Sequence, residues 1–79
     1  MRAVDLYNHV LEADRNQALM ARILINAMTD GEGTKVDVSE LRQLSNRNRM
    51  AVDAFLNWRR WHLDKTIHFN EQFIAIANS

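Results

Sequence analysis

Seventy-nine residues with 47% apolar and 25% charged side chains describe one ordinary folded domain and argue against disorder. Ten basic residues balance ten acidic ones, which excludes a global field that would steer the whole chain to nucleic acid or to an anionic membrane. The absence of cysteine excludes disulfides and thiolate zinc sites, and a chain this short buries only ~60% of its unfolded surface, so its core is expected to need a partner.

The chain has no proline, and its two glycines, Gly31 and Gly33, share one short polar stretch. Proline and glycine are the strongest local punctuation. The pattern therefore predicts an all-α chain of two helical arms and one connection, in a single domain over 1–79: a helix over 3–29, a loop over 30–36 and a helix over 38–77. In the first arm, Val4, Tyr7, Leu11, Ala18, Ile25 and Met28 follow one three-four stripe. Leu6, Val10, Ala13, Met20, Leu24 and Ala27 follow a second. From Ala18 to Met28 only Arg22 and Asn26 are polar. A helix apolar nearly all round is buried on several sides, and one neighbour cannot cover it.

The connection places Gly31 where a left-handed cap would close the first arm. Asp37 and Glu40 have capping-box spacing, with Val36 and Leu41 as the accompanying hydrophobic staple. The second arm carries Leu41, Leu44, Ala51, Phe55, Trp58, His62, Phe69, Phe73 and Ile76 on its main stripe. Its weak point is Ser45-Asn46-Arg47-Asn48-Arg49, where serine and asparagine compete with the helical backbone for hydrogen bonds. A break near 45–48 would make three helices of the two arms, and the last would be free to fold back.

Unbroken, the arms measure about 40 and about 60 Å at 1.5 Å per residue. Folded into an antiparallel hairpin, they leave everything past Asp64 without cover. Uncovered bulky apolar residues mark an interaction surface, and the simplest closed solution is a homodimer forming a four-helix bundle. Trp58, Trp61, Phe69, Phe73, Ile76, Ile25 and Met28 are the expected protein-interface residues, since tryptophan and other large side chains anchor interfaces.

Chemistry is sparse. His9-x-x-Glu12 and His68-x-x-Glu71 reverse the Glu-x-x-His order of di-metal bundles and read as solvated helix faces. No serine or threonine sits in a nucleophile motif, so no catalytic residue, metal or cofactor is assigned and the chain reads as a non-enzyme. No apolar run approaches a membrane span and no signal-peptide core is visible, so a cytoplasmic protein without membrane contact is expected. Charge is segregated, however. Residues 1–41 carry four basic and seven acidic groups, 42–65 carry six and two, and the remaining tail carries Glu71 alone. Arg42, Arg47, Arg49, Arg59 and Arg60 are the candidate phosphate contacts of a nucleic-acid-binding regulator. Trp58 and Trp61, flanking two arginines, suggest a third reading, a small-ligand or nucleotide site at a subunit interface. The leading expectation is a small interaction protein (an adaptor, inhibitor or assembly factor of the size common among bacterial and phage regulators) that self-associates and binds a protein partner.

Overall fold

The computed structural model describes residues 1–29 and 36–79. The Gly31 cap and most of the 30–36 loop lie outside the described residues. The chain is all-helical, with no strand among the described residues. The elements are α1 (Ala3–Glu12), α2 (Gln17–Met28), a short 3-10 helix (Val38–Gln43), α3 (Asn46–Trp61) and α4 (Glu71–Ala77).

The two uninterrupted arms over 3–29 and 38–77 are not formed. The first breaks at Ala13–Asn16, where Asn16 adopts φ 62° and ψ 19°. Asparagine is one of the few non-glycine residues that enters the left-handed region readily. Its side chain then fixes the turn: Nδ2 donates to the Gln43 carbonyl at 3.0 Å and Oδ1 accepts from the Ser45 amide at 3.2 Å. Gln17 Nε2 donates to the Val10 carbonyl at 2.9 Å and so ties the end of α1 to the start of α2.

The second arm breaks twice. Ser45 accepts the Asn48 amide at 3.3 Å and starts α3, which places a break at the weak point read from sequence. The Asp37–Glu40 box forms as well, with Ser39 N donating to Asp37 at 3.1 Å and Asp37 N to Glu40 at 3.4 Å. It caps only the six-residue 3-10 helix. After Trp61 the chain leaves the helix, and Asn70 starts α4 by accepting the Phe73 amide at 2.8 Å. At the other end, Asp5 accepts from Arg2 N at 3.0 Å and from Arg2 Nε at 3.3 Å. These hydrogen bonds hold its carboxyl below the ordinary 3.8. The contact therefore supports α1 above that pH and is lost as the pH falls through the lowered value.

α2 is the central element and packs against α1, α3 and α4. Its all-round apolar surface is met by three helices of its own chain. Leu6, Val10, Met20 and Leu24 of the second stripe are fully buried, and Ile25 and Met28 at the α2 end of the first are buried too. Val4 and Leu11 of the first stripe are exposed. The fold measures 29 × 25 × 23 Å, too short for a 60 Å helix or an overhang. The segment after α3 returns across the molecule instead. Phe73 is 0% exposed; its ring stacks on Tyr7 of α1 at 4.3 Å and on Phe69 at 5.5 Å.

Candidate functional site

Fold-back removes the residues expected to form an intermolecular contact. Phe73, Ile25 and Met28 are in the chain's own core, and Phe69 and Ile76 pack against it half-buried. An overhang requires a helix that runs on through Asp64, and α3 ends at Trp61. Trp58 also turns inward, stacking on His62 at 4.8 Å and Phe55 at 6.2 Å, while His62 Nδ1 hydrogen-bonds the Trp58 carbonyl at 2.8 Å. Trp61 alone of this group faces solvent, at 74% exposure. The two tryptophans therefore do not share a surface that would sandwich a flat ligand.

The five arginines divide in the same way. Arg59 is spent on the fold. Its Nε donates to the Ala27 carbonyl at 3.0 Å, and its Nη1 reaches the carbonyls of His62, Leu63 and Lys65 at 3.0, 3.1 and 3.0 Å. A planar guanidinium thus binds one carbonyl in the last turn of α2, an end that leaves carbonyls without helical partners, together with three carbonyls of the turn after α3, and pins α3 to α2. Replacing it with lysine keeps the charge but removes the fork. We expect Arg59→Lys to cost about 1.5–3 kcal/mol, the range for hydrogen bonds to a charged group, read by chemical denaturation. Arg42, Arg47, Arg49 and Arg60 are exposed, and none makes an ion pair among the described residues. Asn48, beside the basic segment, is 4% exposed. Its Nδ2 donates to the Arg15 carbonyl at 3.2 Å and to Asn16 Oδ1 at 3.1 Å, and its Oδ1 lies 2.8 Å from His9 Nε2. It is a tie between α1, the α1–α2 turn and α3, and is unavailable to a base edge.

A groove of ≈ 340 Å³ with mostly aliphatic walls lies between α2, the 3-10 helix and α3. Ile23, Val36, Leu41, Leu44, Val52 and Leu56 form its apolar walls, with Asn26, Arg49 and Asp53 among its lining. The sequence builds it directly. The Asp37–Glu40 box turns Val38–Gln43 into a tight helix, and an Arg22–Glu40 ion pair at 3.4 Å holds that helix against α2. The 3-10 helix stops at Gln43 and Ser45 starts α3. Val36 and Leu41, the staple pair, stand on one wall rather than inside the core, and Leu41 is 38% exposed. The sequence signal for the groove is an apolar pair, Val36 and Leu41, flanking a capping box that is followed within a few residues by the Ser45 cap of α3.

A smaller cavity of ≈ 170 Å³ lies over the Asn48 tie, lined by His9, Glu12, Asp14, Arg15 and Arg47 among others. Among the described residues no group of three or more histidine, cysteine, aspartate or glutamate side chains is placed to hold a metal ion, and no helix is long and apolar enough to cross a membrane. Comparison with protein-family models, curated proteins and solved structures gave no match.

Proposed function

We propose that this chain is a small non-enzymatic interaction protein whose groove between α2, the 3-10 helix and α3 receives the apolar face of a helix from a protein partner. The supporting observation is the wall composition: six aliphatic residues converge on a groove of ≈ 340 Å³. That is the form of site that takes anchors spaced i, i+3/i+4, i+7 from an amphipathic helix. Arg49 and Asp53, opposite in sign, lie at one side and would fix the register of a bound helix more than its affinity. Leu41 and Leu56 are the walls most open to solvent, so contact with a partner removes apolar area that the monomer leaves in water.

The nucleic-acid reading is the weaker of the two. It keeps four exposed arginines, but Arg59 is engaged with backbone carbonyls and Asp53 lies among them, where it would repel phosphate.

Selection from a displayed library of helical peptides tests the proposal. The enriched sequences should share apolar residues at helical spacing. They should bind at least tenfold more weakly to the Leu41→Asp/Leu56→Asp double variant, with the fold of that variant checked by circular dichroism. Enriched peptides without that spacing, or with equal affinity for the variant, would place binding elsewhere. Binding to a DNA or RNA duplex that falls steeply with salt, and is lost in Arg47→Ala/Arg49→Ala, would favour the nucleic-acid reading.

A further inference from the structure

We infer that one partner of this face is a second copy of the chain, laid antiparallel along α3. The inference rests on the interaction-protein reading and names an occupant for it. The observation is an ordering of charge. Arg49, Asp53 and Leu56 of α3 line the groove, Arg60 follows four residues after Leu56 at helical spacing in α3, and Asp64 comes in the turn just beyond the helix. All five residues are exposed, and Arg49, Asp53, Arg60 and Asp64 make no ion pair among the described residues.

The order is positive, negative, positive, negative, at intervals of four, seven and four residues. Such a sequence is complementary to its own reverse. A two-fold axis beside residues 56 and 57 would set Asp53 against the partner copy's Arg60 and Arg60 against its Asp53. A two-fold interface needs that reciprocity: each residue meets its counterpart's partner twice. Asp53 and Arg60 are seven residues apart, two helical turns or about 10 Å along one face, so both pairs can close at once.

The same order disfavours other occupants. A phosphate backbone would meet Asp53 and Asp64 as well as the arginines. A parallel copy would set like charges side by side, which costs more than the pairs return. The charges fix direction and register; affinity comes from the aliphatic groove, since exposed ion pairs by themselves contribute little. In the antiparallel arrangement each Leu56 lies next to the axis and closes over apolar wall that is otherwise wet.

Charge exchange followed by sedimentation equilibrium tests this. The wild-type chain should show the mass of two copies at high micromolar concentration and fall to one on dilution. Asp53→Arg alone should weaken association at least tenfold, because it sets arginine against arginine at both pairs. Arg60→Asp alone should do the same with aspartates. An equimolar mixture of the two single variants should recover two-copy mass as a heterodimer, since both pairs are then opposite in sign. Both positions are exposed, so folding survives, and far-ultraviolet circular dichroism checks it. A wild-type chain that keeps single-copy mass at millimolar concentration overturns the inference, as do single variants that stay dimeric or a mixture that stays monomeric. A monomeric chain whose groove still binds the selected helices leaves the interaction-protein reading standing and removes only the second copy.

Discussion

Phe73→Ala is expected to cost about 3–5 kcal/mol, the range for removing a fully buried aromatic ring. A domain of this length has only roughly 4–12 kcal/mol of stability in all, at 0.05–0.15 kcal/mol per residue. The variant should therefore lose most of its cooperative thermal transition. The cause is a stack contributed by three separate segments. Tyr7 comes from α1, Phe69 from the returning chain and Phe73 from α4, with ring centroids 4.3 to 6.4 Å apart. Without the Phe73 ring, α4 has little to hold it, since it is seven residues long and helices so short do not persist alone. The loss should not depend on protein concentration, because the contact is made within one chain. A difference in melting midpoint between variant and wild type that shrank on dilution would move Phe73 back to an intermolecular interface.

Asn48→Leu comes next in size, at about 2–4 kcal/mol by chemical denaturation. The leucine keeps the branched heavy-atom skeleton but strips hydrogen-bond partners from His9, the Arg15 carbonyl and Asn16 Oδ1. Each buried polar group left unpaired costs about 1–3 kcal/mol, and part of the turn can take up water. Asn48→Asp should cost at least as much, because a carboxylate oxygen then faces two acceptors. Asn16→Ala removes the same junction from its other side. The double variant should therefore lose less than the sum of the single ones, as expected for residues in one network. Additive losses would mean that the two asparagines act separately.

These two positions also show what could be read from residues alone. The burial of α2 on all sides was legible, because only two of the eleven residues from Ala18 to Met28 are polar, and three helices cover it. The Asp37–Glu40 box and the weak point at Ser45 were legible too, since short polar side chains at those spacings offer the backbone local partners. The turn at Asn16 was not. No glycine or proline marks it, and its left-handed conformation depends on Gln43 and Ser45, nearly thirty residues away. The return of the chain after Trp61 was equally hidden. Apolar residues keep helical spacing through His62 and Phe69, and the helix ends where the Arg59 guanidinium gathers carbonyls from His62 to Lys65. Periodicity reports which residues are buried but not whether the same chain buries them, so Phe73 and Phe69 suggested a partner where the fold supplies its own. The groove is hidden for the converse reason: Val36, Leu41 and Leu44 are apolar residues of the kind that fill interiors, yet in the fold only Leu44 of the three is buried.

The C-terminal aromatics belong to the interior, and we assign the groove to partners. Methyl and aromatic nuclear magnetic resonance shifts, followed while a selected amphipathic helix is titrated into the wild-type chain, test both assignments at once. Changes are expected at Ile23, Leu41, Leu44, Val52 and Leu56, with Tyr7, Phe69 and Phe73 unmoved. Changes centred on those three rings, with the groove methyls silent, would contradict both.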